Sequence, residues 1–208
     1  MEIVIDCEAF VRLSKISNAI NPNDERQFLK SIWLEALDGV AIAVASNSII
    51  GAIERLENNN PVDCEFLVCV DDTLIQQCIA ETPFNSKLTF TYNKILKHVS
   101  VKTSFGYVHP TNALIVVNGP NPLVDWREWI PNELPTESNG GMFSTLDNLA
   151  LLALAAPTGS VIFPEFIDNK KPVIVQDIHN LNWLGVFISS PNSSSRSPEP
   201  FSIPEWAK

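Results

Sequence analysis

The strongest constraint on this chain is the order of its local patterns, which runs strand, helix and three strands, and then repeats. Met1 to Asp6 reads as a short strand, and Cys7 to Ile20 as a helix with Phe10, Leu13, Ile16 and Ile20 approximating one face. Glu8, Arg12 and Lys15 fall on the other face. Phe28 to Leu37 is strand-like, and Asp38-Gly39 marks a two-residue hairpin because both central positions of that turn favour positive φ. Beyond it, Val40, Ile42 and Val44 alternate with Ala41, Ala43 and Ala45, a strand with one bulky and one small face. Asn47-Ser48 turns the chain into a further strand, Ile49 to Leu56. The order then returns with a strand at Glu65 to Val70, a helix at Asp71 to Thr82, and strands at Ser86 to Tyr92, Ile95 to Thr103 and Asn112 to Val117. The period is roughly 60 residues and lies in structural pattern rather than residue identity.

A third, incomplete copy is expected downstream. Asn118 to Gly141 reads as a connector, Ser144 to Ala156 as a helix opened by Ser144-x-x-Asp147, and Ser160 to Phe163, Pro172 to Gln176 and Leu184 to Ser189 as strands. Twelve of the 15 prolines follow residue 109, so this part is expected to have more irregular connection and less ladder. The expected organisation is 1–120 for the two complete units, 121–190 for the connector and partial unit, and 191–208 for a flexible Ser/Pro-rich tail. The expected class is α+β, with repeated strand-helix-three-strand units and curved antiparallel sheets.

Composition narrows the possible activities. With 45% hydrophobic and 18% charged residues among 208, the chain has material for a sizeable core. A formal net charge of −10 opposes a generic basic nucleic-acid binder but leaves room for a local basic face. Between Glu81 and Asp125 there is no acidic residue, whereas Lys87, Lys94, Lys97 and Lys102 all occur there. That run reads either as a solvated sheet face or as a patch facing DNA or a partner.

Cys7, Cys64, Cys69 and Cys78 read as reduced interior residues of a cytoplasmic protein, since no second pair completes a zinc site around Cys64 and Cys69. The opening MEIVIDCEAF lacks the basic leader and long apolar core of a signal peptide, and Leu149 to Ala156 is too short to cross a bilayer. Of His98, His109 and His179, only His179 has a nearby co-ligand candidate, Asp177. No phosphate-binding glycine loop occurs, so no cofactor, metal or catalytic residue is expected. Gly140 to Ala150 is similar to a glycine-rich turn and helix start of serine β-lactamase-like hydrolases, but the S-x-x-K nucleophile motif of that family is absent.

Two complete units of this kind resemble the domain pattern of DNA polymerase sliding clamps. Leu123-Val124-Asp125-Trp126-Arg127-Glu128-Trp129-Ile130-Pro131 is similar to the bacterial clamp segment F-P-D-Y-R-R-V-[IL]-P, found where one clamp domain passes into the next. Asp125, Arg127, Ile130 and Pro131 agree, and Trp126 replaces one aromatic by another. Val124, Glu128 and Trp129 depart from the pattern, and Ala45 to Ala52 echoes the T-D-G-H-R-L-A-like run of the family only at Ser46, Asn47 and Ala52. The resemblance implies a non-enzymatic, clamp-like protein that forms a homo-oligomer, with a role as a replication accessory or partner-binding platform. The alternative is a structural or interaction protein that keeps the fold without encircling DNA. The resemblance implies weak duplex-DNA contact at Arg12 and Lys15 on the first helix, while the acid-free stretch, read by its charge alone, offers Lys87, Lys94, Lys97 and Lys102 as a second candidate DNA contact. It places a pocket for polymerase- or loader-type peptides at Ser46, Ile50, Gly51 and Trp129.

Overall fold

The computed structural model describes residues 2–20, 23–37, 39–56, 64–93, 98–106, 108–109, 114–115, 126–131, 136, 146–163 and 172–188. Strand β1 (Glu2–Asp6) leads into helix α1 (Cys7–Asn18), followed by β2 (Ser31–Leu37), β3 (Val40–Ser46) and β4 (Ile50–Leu56). The same order recurs in β5 (Cys64–Cys69), α2 (Asp72–Glu81), β6 (Lys87–Asn93), β7 (His98–Thr103) and β8 (Val108–His109). After β9 (Leu114–Ile115) come α3 (Leu146–Ala155), β10 (Val161–Ile162), β11 (Val173–Asp177) and β12 (Trp183–Phe187).

All pairings in these sheets are antiparallel, but the units do not keep their own strands. β1 pairs with β6, and β5 pairs with β2, so each unit gives its first strand to the sheet of the other. The result is a four-stranded sheet of order β1-β6-β7-β8 and an eight-stranded sheet of order β10-β11-β12-β4-β3-β2-β5-β9. The last three strands extend the larger sheet through β12, which pairs with β4. Among the described residues the fold is thus α+β, with antiparallel sheets and three helices.

Alternation explains how the layers meet. The small face of β3 turns Ala41, Ala43 and Ala45 toward the helices, and α1 packs on β3 there. The bulky face turns Ile42 and Val44 into a second cluster on the opposite side of the sheet. In the main core, the Phe10 and Phe90 rings lie 6.2 Å apart and those of Phe66 and Phe90 6.0 Å apart, which ties α1, the smaller sheet and the larger sheet together. α1 also packs against both α2 and α3.

Local chemistry sets the turns. β2 and β3 pair from Leu37 and Val40 onward, and Gly39 sits at φ 80°, as a tight hairpin turn requires. At the next turn the Asn47 carboxamide oxygen accepts from the N–H groups of Ile49 and Ile50 at 3.0 and 2.9 Å, which supports Ser48 at φ 73°.

Two expectations need correction. Residues Gln27–Lys30 form a 3-10 turn rather than the start of β2, with the Leu29 N–H bonded to the Arg26 carbonyl; the turn buries Leu29 in place of the alternation a strand would need. The last strand of the second unit is β8, whereas the described part of Asn112 to Val117, β9, joins β5 in the larger sheet. A two-residue strand has no alternation to read, so only pairing reveals it.

The cap of α2 provides a direct test of local stability. The Asp71 carboxylate accepts from the N–H groups of Thr73 at 2.7 Å and Leu74 at 3.2 Å. Asp71→Ala is expected to lower unfolding stability by about 1 kcal/mol in urea titration, and Asp71→Ser to recover most of that loss.

Candidate functional site

Three surfaces correspond to the residues singled out by sequence. The first is the helical side. Arg12 does not stand free on α1: its guanidinium bonds both Glu54 carboxylate oxygens at 2.9 and 3.2 Å and lies 3.1 Å from Glu8. Glu54 is buried on β4, and its burial pushes the carboxyl pKa above its ordinary value despite Arg12, with Asp6 and Glu8 adding to the rise. Arg12 therefore balances a buried carboxylate, and a guanidinium held this way is poorly placed to meet a phosphate. Lys15 is partly exposed in the last turn of α1. α2 and α3 contain no Lys or Arg.

The second surface is the outward face of the smaller sheet. Leu88, Phe90, Val99 and Val101 point into the core, so alternation sends Lys87, Thr89, Thr91, Ser100 and Lys102 outward. Lys87 and Lys102 thus share a face, on the opposite side of the sheet from the core on which α1, the helix of Arg12 and Lys15, packs. Lys87 also lies 3.7 Å from Asp6. Lys94 and Lys97 lie outside the described residues.

The third surface is the face of the larger sheet turned away from the helices. A 3-10 turn, Trp126–Trp129, crosses it and is anchored by Glu35 on β2. Trp126 Nε1 donates to Glu35 at 3.1 Å, the Arg127 guanidinium bonds the same carboxylate, and the Arg127 head stacks 4.5 Å over the Trp126 ring. Trp129 is buried over Gly51, where an added Cβ would lie 2.8 Å from its ring. Trp33, Ile42, Val44, Ile53, Leu67 and Val186 complete this cluster.

Of the four suggested pocket residues, Gly51 and Trp129 meet directly, but the ring of Trp129 itself fills the space over Gly51. Ile50 faces the other way, into the helix-side core, because it is adjacent to Gly51 along a strand. Ser46 shapes the turn: its hydroxyl donates to the Ile50 carbonyl at 3.0 Å and accepts from the Ser48 N–H at 3.0 Å.

Sequence reading missed Glu35, the anchor of the crossing turn, although a lone acid in the apolar run SIWLEAL was its visible signal. It also missed Trp33, whose indole N–H is buried with no hydrogen-bond partner. The other buried carboxylates have structural occupations. Glu81 accepts from Ser86 at 2.6 Å, Gln77 at 2.5 Å and Thr103 at 2.9 Å. Asp177 accepts from the backbone of Thr158, His179 and Asn180 and from the Thr158 hydroxyl, so the Asp177-x-His179 pair closes a turn. Among the described residues no group of three His, Cys, Asp or Glu side chains could hold a metal. The four cysteines are free thiols, Cys7 and Cys78 buried, Cys64 and Cys69 partly so.

Two measurements follow from this geometry. Gly51→Ala should destabilise the fold by about 1–3 kcal/mol through overpacking against Trp129, and should cost far less in a Trp129→Ala background; equal costs in both would remove the direct contact from the explanation. The second concerns acid. Burial alone would raise the Asp177 pKa, but hydrogen bonds from Thr158, His179 and Asn180 outweigh it and hold the carboxyl below its ordinary 3.8. A depressed folded-state pKa gives stability that is complete above the unfolded value and is lost as pH falls through the folded one. Asp177→Asn should therefore be less stable near neutrality and lose less stability between about pH 5 and pH 2, as read from urea midpoints.

With this geometry in hand, the comparison with known proteins is informative at the level of fold. No protein-family model matches the sequence, and no curated protein matches it. Solved structures do. The DNA polymerase sliding clamp of Pseudomonas aeruginosa aligns over 91% of this chain and 66% of its own, at TM-score 0.59 and 15% identity. The DNA polymerase III beta subunit of Thermotoga maritima aligns over 90% of this chain and 65% of its own, at TM-score 0.55 and 12% identity. A polymerase III beta protein of Caulobacter crescentus aligns over 60% of this chain and 33% of its own, at TM-score 0.43 and 13% identity. The chain thus spans at most about two thirds of the length of these clamps. Its exchanged first strands, paired helices and extended antiparallel sheet are those of a divergent sliding-clamp fold.

Proposed function

We propose that this chain is a non-enzymatic clamp-like platform that self-associates and presents surfaces to replication-type protein partners without gripping DNA. One observation carries the reading: among the described residues, the three helices, which a DNA-encircling ring must supply with cations, are nearly bare of free ones. Arg12 is committed to Glu54 and Glu8, α2 and α3 contain no basic residue, and Lys15 is left. Each phosphate neutralised by Lys or Arg releases counterions, so one uncommitted basic side chain on the described helices gives little affinity, and the net charge of −10 opposes approach. Among the described residues, the pairing of the buried carboxylates Glu35, Glu54, Glu81 and Asp177 with structural donors supports the non-enzymatic part of the reading. A peptide partner on the outer face would meet Trp129 and the Glu35-anchored turn rather than an open groove over Gly51. The four free thiols suit a reducing cytoplasm, and among the described residues no helix is long and apolar enough to cross a membrane.

Fluorescence anisotropy with a labelled DNA duplex tests this. At physiological salt no saturable binding is expected, and any low-salt association should fall steeply as salt rises. Lys15→Glu should abolish the residual signal if the helices make the contact, and Lys87→Glu with Lys102→Glu should do so if the outward sheet face makes it. Tight, salt-resistant binding by the unmodified protein would overturn the platform reading in favour of a DNA-encircling one.

A further inference from the structure

The four thiols differ in their surroundings, and two of them face each other. Cys64 and Cys69 stand at the two ends of β5, partly exposed, and Cys69 accepts from the Ser31 hydroxyl at 3.7 Å. Cys7 and Cys78 are fully buried in the main core, Cys7 as the first residue of α1 and Cys78 on α2, which packs against α1. Hydrogen bonds fix their approach. The Cys7 N–H donates to the Ser86 carbonyl at 2.9 Å, the Ser86 hydroxyl donates to Glu81 at 2.6 Å, and Glu81 lies one turn beyond Cys78 on the buried face of α2. Within this frame the two thiols hydrogen-bond each other.

We propose that Cys7 and Cys78 form a reversible disulfide that locks α1 to α2, so that the joint between the two complete units responds to the redox state of its surroundings. In a reducing cytoplasm the pair stays as thiols, and an oxidising episode closes it. β1 is an edge strand of the smaller sheet and ends at Asp6, so fraying of β1 opens the way to Cys7. Once closed, the bond holds the start of α1, and with it the exchanged strand, against the second unit, and it restricts the unfolded chain between the two cysteines.

The two sulfurs are unlike, which orders the steps. A hydrogen bond from Cys78 holds the Cys7 thiol below its ordinary value against burial and the charges of Glu81 and Asp6. Its place at the N-terminus of α1 favours the same anion. Cys78 is pushed up by its hydrogen bond to Cys7 and by burial. Cys7 is therefore the attacking sulfur. Its thiolate attacks one sulfur of a small disulfide such as oxidised glutathione: a bond to Cys7 Sγ forms, the small molecule's S–S bond breaks, and one thiolate leaves and takes up the proton that Cys7 released. The mixed disulfide removes the charge and the acceptor that kept Cys78 protonated. Cys78 then gives up its proton and attacks Cys7 Sγ, and the second small thiolate leaves with that proton. Two protein thiols are oxidised, and one small disulfide is reduced to two thiols.

The test equilibrates the full native chain in glutathione buffers of rising oxidised fraction, quenches with acid, alkylates in denaturant and maps peptides by mass spectrometry without reduction, with urea midpoints measured alongside. A single bridge, Cys7 to Cys78, is expected, with Cys64 and Cys69 still alkylated, and the midpoint should rise by about 1 M and fall back on addition of dithiothreitol. The Cys64→Ser/Cys69→Ser variant should respond as the parent does, whereas Cys7→Ala and Cys78→Ala should form no bridge; if either alanine variant fails to fold, the peptide map of the parent decides. Recovery of Cys7 and Cys78 as alkylated thiols after oxidation, glutathione held on Cys7 without resolution, or a bridge to Cys64 or Cys69 would overturn the pair. A Cys7–Cys78 bridge that leaves the midpoint unchanged or lowers it would overturn the lock.

Discussion

The exchange of first strands between the two complete units underlies the rest of the structure. β1 takes its backbone partners from β6, and β5 takes its partners from β2, so neither unit can satisfy its sheet hydrogen bonds alone. The helix that follows each exchanged strand is carried with it, which brings α1 and α2 together over a single core. Phe10, Phe66 and Phe90 occupy the place where that core joins both sheets. The arrangement depends on contacts far apart in sequence and on burial of the faces that alternation creates.

Electrostatics then limits what the assembled surfaces can do. A carboxylate taken out of water must be neutralised or hydrogen-bonded, and this chain meets that demand with groups that could otherwise face outward. Glu54 holds Arg12, Glu35 holds Arg127 and the indole of Trp126, and Glu81 and Asp177 collect neutral donors. The chain has few basic residues, and two of its arginines are engaged in this way. The same interactions that settle the helix onto the larger sheet take the Arg12 cation out of the helical surface.

The third unit completes a surface more than it completes a copy. Its last strand covers the edge of β4, an edge that would otherwise offer unpaired backbone groups to any neighbour. Asn47 reaches from the β3–β4 turn to Asn148 on α3 at 3.2 Å, so the joint has a polar clasp as well as a strand ladder. That closure leaves α3 on the same side as α1, with Leu146 and Leu154 in solvent.

Much of this was legible in the chain itself, because helix period, strand alternation, the Asp38-Gly39 turn and the acidic start of α2 are encoded among near neighbours. The two faces of β3, bulky and alanine-lined, could be read residue by residue, and the similarity of residues 123–131 to a clamp segment pointed to the fold. What tertiary structure decided was partnership: which sheet β1, β5 and the short β9 would join, that Arg12 would meet Glu54 at a separation of 42 residues, and that Trp129 would cover Gly51. The physical reason is that periodicity specifies which face of an element must be buried, whereas the partner that buries it, or the charge that compensates a buried acid, is set only when distant segments compete for the same space.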